Sequence, residues 1–401
     1  MKYEIVEEAI FLKRENRFIA WVELGEVPIR VHVSNTGRLR ELLVPRRRVL
    51  LAKAAQTKTR KTEYSLIAVE KDDRWFHIHS AAANHLVAEY LYAAPVLKGF
   101  GKVRSYRREV KKGTSRFDFY VVGGEAAGYI EVKGVTLEEN GMARFPDAPT
   151  LRGTRHIDEL TQIAAKGEGA MVWFVIQTDG VFAFSPNHET DPAFAAALCR
   201  AEQAGVDLYA MDTKIDGAEM HLSRPVAVRL DAPLAMRQAR EADLSIIETM
   251  IYGAKQSLAK DGVDQWQGKE PGRETLRTDI CRGACYVFCE EGEDPVATAA
   301  LCLGEEPTYH VIDGAWANAR PYLTVHRMAV SPAKKGHGIG RRALDAIKAF
   351  AISKGLSEVR IDTHRDNFRM RNLIETSGFR HCGTIRVGDG TERIAYQWSR
   401  P

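Results

Sequence analysis

The 401-residue sequence predicts a mixed α/β, multidomain fold. Three observations carry that expectation. The first 80 residues read as short segments of alternating apolar and polar character, separated by polar turns. Beyond Asn84, strand-like and helix-like segments alternate, the mark of layered α/β folds. A second α/β pattern starts at Glu241 and contains a glycine-rich turn that opens a long amphipathic helix. The length also exceeds what one ordinary core holds.

The barrel comes first. RFIAWVEL, IRVHV, RVLLAKA, YSLIAVE and WFHIH read as five strands with little helix, which suits a small OB-like β-barrel over residues 1–80. ANHLVAEYLYAA then has helical spacing of apolar residues. The strand candidates SRFDFYVV, GYIEVKGVTL and AMVWFVIQ follow, with the helix RHIDELTQIAAKG before the last of them. DPAFAAALCRAEQAG is the next helix. This second unit is expected to run over residues 81–235, ending in SRPVAVRLDAPLAMRQAR, and the third over 241–401.

Composition narrows the function classes. The chain is 45% hydrophobic and 27% charged, and no stretch approaches the roughly 20 apolar residues of a membrane helix. The first residues, MKYEIVEEAIFLKREN, lack the apolar run of a signal peptide, so the expectation is a cytoplasmic protein with no membrane partner. The six cysteines are too thinly spread for a disulfide framework. Cys281, Cys285 and Cys289 recur every four residues, a spacing that matches no zinc knuckle or iron–sulfur run; a helix running into a strand explains it. Net charge is only +4, but basic residues cluster in 38–62 and 102–116. Such clusters either supply the phosphate term of nucleic-acid binding or form a solvated face.

SRFDFYVVGGEAAGYIEVKG centres the chemistry of the first half. Asp118 sits in one expected strand; Glu131 and Lys133 project from the same face of the next. A hairpin brings Asp118 beside Glu131, giving two carboxylates and an ammonium. Carboxylates suit a hard divalent cation such as Mg2+ or Mn2+. Glu89, on the preceding helix, is a further candidate for the same cation. Downstream, FPDAPTLRGTRHIDEL places Asp147, Arg152, Arg155, His156 and Glu159 close together, with Thr150 as helix N-cap. A surface hairpin with a charge pair is the alternative.

VHVSNTGRLRELL, SRFDFYVV, YIEVKGVTL and FPDAPTLRGTRHIDEL together resemble the sugar fermentation stimulation protein A family over roughly residues 1–235. The resemblance implies a barrel, a PD-(D/E)XK-type nuclease core with Asp118, Glu131 and Lys133 as catalytic residues and Glu89 as a fourth, and DNA or RNA as partner. It also admits a non-cleaving, DNA-binding regulator of sugar-utilisation genes. Val33 and Ser34 stand where the family often has Cys-Pro.

In the last unit, YLTVHRMAVSPAKKGHGIGRRALDAIKAFAISKG reads as strand, turn and helix. Gly336, Gly338 and Gly340 let successive main-chain amides converge at a helix N-terminus, an anion site suited to pyrophosphate. Lys334, Lys335, Arg341 and Arg342 add positive charge. The turn lacks the Gly-Lys-Ser/Thr ending of a P-loop, and no second βαβ half follows it. HRMAV, KKGHGIG, DNFRM and SGF, in order, resemble the GNAT N-acetyltransferase superfamily over about 241–401.

That resemblance implies acetyl-CoA as cofactor and an amine, of unknown identity, as acceptor. Met328, Ala329 and Val330 are expected to bind the pantetheine arm. Lys335, Gly336, His337, Gly338, Ile339, Gly340 and Arg341 are expected to hold the pyrophosphate, and Asn367 the cofactor arm. Lys335 stands where the family has Gln or Arg. The tyrosine acid of many members is replaced by Ile374, leaving water or Tyr396 for that role. His326, Asp362 and His364 are the candidate bases. Trp266, Tyr309, Trp316 and Tyr322 either line the acceptor pocket or fill the core. A non-catalytic acyl-CoA sensor is the alternative reading.

Overall fold

The computed structural model describes residues 1–35, 37–54, 62–216, 218–388 and 390–401. Lys58, Arg60 and Lys61 of the first basic segment lie outside the described residues. Two compact units form: Met1–Leu230 with Pro401, and Asp231–Arg400.

The first unit opens with a six-stranded sheet built from Val6–Arg14, Ile19–Leu24, Val27–Val33, Arg48–Lys53, Tyr64–Lys71 and Arg74–His77. Val27–Val33 pairs in parallel with Tyr64–Lys71, which closes the first five strands into a barrel. Closure removes the exposed edges that would otherwise template aggregation. Phe11, Val22, Val31, Leu51, Leu66 and Phe76 fill the interior.

The sequence reading missed Val6–Arg14 as a strand. Its polar residues sit in pairs and a register shift between Phe11 and Lys13 disturbs the alternation. Arg74–His77 is a hairpin partner outside the closed ring.

The second layer system follows without a break in the same unit. Its sheet runs in the order Glu219–Pro225, Asp207–Asp216, Gly169–Ile176, Ala127–Val135, Ser115–Val122, Ser105–Lys112. The two inner pairings, from Asp207–Asp216 through Gly169–Ile176 to Ala127–Val135, are parallel, and the others antiparallel.

Strict alternation along Gly169–Ile176 explains the sandwich. Val172, Phe174 and Ile176 pack toward helices α2 (Leu151–Ala164) and α3 (Pro192–Gln203). Met171, Trp173 and Val175 pack toward helix α1 (Ala82–Tyr92). A strand buried on both faces reads as a continuous apolar run, as GAMVWFVI does. Thr150 caps α2 as expected: its hydroxyl accepts the Gly153 N–H at 3.0 Å.

The second unit is an eight-stranded sheet in the order Ala235–Gln238, Cys285–Cys289, Pro295–Leu303, Tyr322–Val330, Glu358–Thr363, Glu392–Ser399, Arg380–Arg386, Ile312–Gly314. Only Tyr322–Val330 and Glu358–Thr363 are parallel neighbours. Helices α4 (Leu244–Lys260), α5 (Arg273–Cys281), α6 (Ile339–Ser353) and α7 (Phe368–Thr376) accompany it.

Its sheet begins at Ala235, ahead of the expected start at Glu241, because Ala235–Gln238 pairs with Cys285–Cys289. Cys281 closes α5, and Cys285 and Cys289 bound that strand. Among the described residues no disulfide joins any of the six cysteines. Among the described residues no helix is long and apolar enough to cross a membrane.

Candidate functional sites

The first site grows from a fault in a strand. Ser115–Val122 pairs antiparallel with Ala127–Val135, with Phe119 opposite Ile130. Phe117 packs on the α2 side of the sheet and Phe119 on the α1 side, although residues two apart normally share a face. Alternation slips at the residue between them, Asp118. Its carboxylate takes over ladder duty: Oδ2 accepts the Val132 N–H at 2.8 Å, and Oδ1 accepts from Asn84 of α1 at 2.7 Å.

Glu131 lies on the α2 face, 4% exposed. Its Oε1 accepts from Lys133 Nζ at 2.7 Å and lies 2.5 Å from Nδ1 of buried His156 on α2. Its Oε2 is buried with no hydrogen-bond partner. Burial raises the Glu131 pKa, but the His156 bond and the Lys133 ammonium outweigh it, and the group ends below the usual carboxylate range. Asp118 moves the other way: burial, then the Glu131 charge, raise it.

Two oxygen donors of like charge, one with an orphaned buried oxygen, are the chemistry a hard cation satisfies. Among the described residues no group of three or more His, Cys, Asp or Glu side chains gathers as a metal-binding cluster.

Glu89 is not brought to this site. It lies exposed on α1 and pairs with the Met1 amine at 2.7 Å, while Asn84, more than one helical turn earlier, is what meets Asp118. The downstream segment also disperses. Asp147 accepts the Arg38 N–H, Glu159 accepts from Thr114, and Arg152 and Arg155 are exposed; only His156 reaches Glu131. Sequence reasoning assigned no contact to Asn84 or His156. The available signal was position: His156 falls on the inner stripe of α2 with Ile157, Leu160 and Ile163.

The basic segments are partly consumed. Arg48 pairs with Glu8 and Glu70, Arg47 donates to two carbonyls, and Lys112 pairs with Glu168.

The second site also starts from broken pairing. Tyr322–Val330 pairs with Pro295–Leu303 as far as Val330, but with Glu358–Thr363 only over Tyr322–Val325. Beyond Val325 the two parallel strands part. Arg327 makes the bulge at φ 49°, held by a two-pronged ion pair to Asp279 at 2.7 and 2.9 Å. Main-chain groups of Met328–Val330 therefore face a gap on one side, an edge that an extended amide-bearing arm can join.

A cavity of about 1410 Å3 occupies that gap, lined by Met328, Ala329, Val330, Lys335, Gly336, Gly338, Ile339, Gly340, Arg341 and Asn367. His337 is the one expected cofactor-binding residue outside that lining; its ring turns to its own loop at Lys335 O, 3.1 Å.

Helix α6 presents its first turn to this cavity. Its first intrahelical bond runs from Arg342 N–H to Gly338 C=O, so the amides of Ile339, Gly340 and Arg341 have no partner within the helix. Gly338 sits at φ 72°, the left-handed region that glycine adopts freely. A Cβ on Gly340 would lie 2.8 Å from Leu373 Cδ2, so glycine also lets α6 approach α7.

The expected side-chain charge is mostly spent elsewhere: Lys334 and Arg342 pair with Glu290, and Arg341 with Asp231. Lys335 donates to Gly253 O and Ser257 Oγ, and burial, then Arg369, lower its pKa. Asn367 caps α7 through Oδ1 to Met370 N–H and donates to Gln265 at 3.0 Å.

The other end of the cavity carries His326, Glu306, Asp362 and Arg393. His326 Nε2 lies 3.1 Å from Glu306 Oε2; that bond first, against burial, pulls Glu306 down to about 2. Tyr309 donates to Asp362 at 2.7 Å, yet burial still raises Asp362.

His364 lies outside the cavity lining. So does Tyr396, whose buried hydroxyl donates to Glu375 and accepts from Arg371. Of the four aromatics, only Trp266 lines the cavity; Trp316 and Tyr322 sandwich Arg360, and Tyr309 packs beside them.

Fold and sites define a chain that couples a barrel and an α/β core to a unit of acyltransferase architecture. Family models match in three places: the SfsA N-terminal OB domain at residues 12–78, the sugar fermentation stimulation protein RE domain at 81–219, and the acetyltransferase (GNAT) family at 253–379. A sugar fermentation stimulation protein homolog of Clostridium perfringens strain SM101 is 47% identical over 232 residues, 57% of this chain and 100% of that protein.

The structure of Pyrococcus furiosus SfsA in complex with Ca2+ aligns at 30% identity and TM-score 0.52, covering 57% of this chain and 98% of that one. A GNAT-family acetyltransferase structure from Streptococcus agalactiae aligns at 31% identity and TM-score 0.39, covering 42% and 96%. The chain belongs to the sugar fermentation stimulation protein family and carries a C-terminal GNAT acetyltransferase domain. Both expected resemblances, and the α/β fold with an OB-like barrel, are borne out.

Proposed function

We propose that this is a bifunctional cytoplasmic protein: a divalent-metal-dependent nuclease of PD-(D/E)XK type over residues 81–235, a nucleic-acid-binding barrel over 1–80, and an acetyl-CoA-dependent N-acetyltransferase over 241–401. The observation that carries the nuclease is the buried, partnerless Oε2 of Glu131 beside Asp118. Asp118 and Glu131 would hold Mg2+ or Mn2+, and the Ca2+ bound by the Pyrococcus furiosus protein supports a cation in this family. A bound cation polarises the scissile phosphate. Lys133 orients the attacking water, Asn84 fixes Asp118, and His156 fixes Glu131.

For acyl transfer, the open edge of Met328–Val330 beside the first turn of α6 carries the reading. The amides of α6 receive the diphosphate of acetyl-CoA. His326, oriented by Glu306, takes a proton from the acceptor amine, whose nitrogen attacks the thioester carbonyl. The C–S bond breaks as the amide forms, and coenzyme A leaves as the thiol after its sulfur takes a proton from water.

The test uses the full chain with single- and double-stranded DNA and RNA plus Mn2+, and acetyl-CoA with an amine panel. Wild type cleaves at least one substrate, and Lys133→Ala slows this by about 100-fold or more. His326→Ala lowers acetyl transfer while coenzyme A binding persists. Binding of both ligands without turnover of either would instead favour a DNA-binding regulator with an acyl-CoA-sensing domain.

A further inference from the structure

A second cavity lies within the first unit, between the barrel and the α/β core, and no step above uses it. Its volume is about 470 Å3, inside the range of about 300–1,000 Å3 that holds small ligands. The barrel contributes Arg17, Asn35 and Arg38; the core contributes Gly134, Arg144 and Gln177. Its floor lies where Ala127–Val135 and Gly169–Ile176, parallel neighbours, reach their carboxyl ends. Open α/β sheets bind ligands outside those ends. Gly134 directly follows Lys133 and stands three residues from Glu131, about 10 Å along a strand.

The walls are built in advance. Arg14 spends its guanidinium on four carbonyls, those of Arg17, Asn35, Gly37 and Arg38, which fixes the loop that carries the barrel residues. Asn35 also donates to Ile78 O, and Asp147 accepts the Arg38 N–H. Gly134 has no room for a side chain: a Cβ there would lie 2.8 Å from Oε1 of buried Gln177.

The charge is uneven. Among the described residues, Arg17 and Arg38 make no ion pair, and Arg144 pairs only with exposed Glu139. Among the described lining residues Asp147 is the only carboxylate. Cations at a rim, with amide and hydroxyl groups inside, match a phosphate outside and a base edge within.

We propose that this cavity receives one unpaired nucleotide of a single-stranded nucleic acid, its phosphate on Arg17 and Arg38 and its base against Asn35, Gln177 and Asp147. The proposal rests on the nucleic-acid reading of this half, and makes an unpaired strand the ligand. A paired base cannot enter without leaving its stack.

The experiment measures binding of the full chain, in Ca2+, to a ten-nucleotide oligothymidylate, an abasic strand of equal length and a blunt duplex. Wild type binds the oligothymidylate about tenfold tighter than the abasic strand or the duplex. Ala148→Phe, which fills the cavity without removing a hydrogen bond, erases the preference for thymine over the abasic strand. Arg17→Ala with Arg38→Ala weakens every strand and lowers the salt slope by about two. Arg107→Ala with Arg108→Ala, on the edge strand Ser105–Lys112, leaves the thymine preference intact.

An unchanged preference in Ala148→Phe, with wild type still binding, overturns the cavity proposal alone. Equal binding of all three probes by wild type does the same. No binding of any probe overturns the nucleic-acid reading and the proposal with it.

Discussion

Glu131 compresses the nuclease argument into one side chain, because its two oxygens live differently: one holds Lys133 and His156, the other nothing. Asp118, Glu131 and Lys133 were legible from D…E-x-K spacing because a strand repeats every two residues. Asn84 and His156 were not, since no local period ties a helix to a strand dozens of residues away.

A different residue contributes to the response between pH 7 and pH 5. His77, 1% exposed, lies 2.8 Å from the Tyr3 hydroxyl, and burial, then His79, push its pKa down to about 3. An unfolded histidine titrates near 6.5. Below that pH the unfolded chain takes up a proton the folded chain refuses until about pH 3, so stability falls as pH drops, by up to about 1.4 kcal/mol per unit. Urea midpoints of the first unit are expected to decline from pH 7 to pH 5. His77→Gln, less stable at pH 7, is expected to show a flatter decline; an equally steep one would remove His77 as the cause.

Among elements, α2 and α3 share a device. Thr150 caps α2, and its own N–H is held by Asp191 Oδ2 at 2.8 Å while Asp191 Oδ1 caps α3 at Phe194 N–H. Thr150→Ala is expected to cost about 1 kcal/mol, and Asp191→Ala about 2 kcal/mol because it leaves two amides bare; thermal melts measure both. The cap at Thr150 was readable from sequence because capping is local. The strand Val6–Arg14 was not, because a bulge and paired glutamates hide its period.

The start of α6 was readable for its glycines. Its lysines and arginines misled: charge read along a chain does not reveal that Glu290 and Asp231 absorb it. Gly338→Glu places a carboxylate where the α6 amides converge and a side chain at φ 72°. Coenzyme A heat in calorimetry is expected to vanish, with a stability loss of about 1–2 kcal/mol. Retained heat would remove α6 as the diphosphate site.

At the scale of the molecule, two compact units each hold their own core. Calorimetry of the full chain is expected to show two transitions. Coenzyme A at 100 times its Kd is expected to stabilise one of them by about 2.7 kcal/mol. Mn2+ is expected to raise the other, and Asp118→Asn is expected to abolish the Mn2+ shift without touching the coenzyme A shift. A single transition moved by both ligands would contradict the assignment of one site to each unit.

Sequence alone determined the kind of each unit, the ladder that sets Asp118 against Glu131, and the glycine turn that opens α6. All of these rest on interactions between near neighbours in the chain, where period, cap and turn chemistry act. Only the tertiary structure decided that Glu89 turns to the N-terminus, that Asn84 and His156 complete the carboxylate pair, that the parallel strands part beyond Val325, and that a polar cavity adjoins Gly134. Those outcomes depend on which charges and surfaces meet across long loops, and a linear pattern carries no record of such meetings.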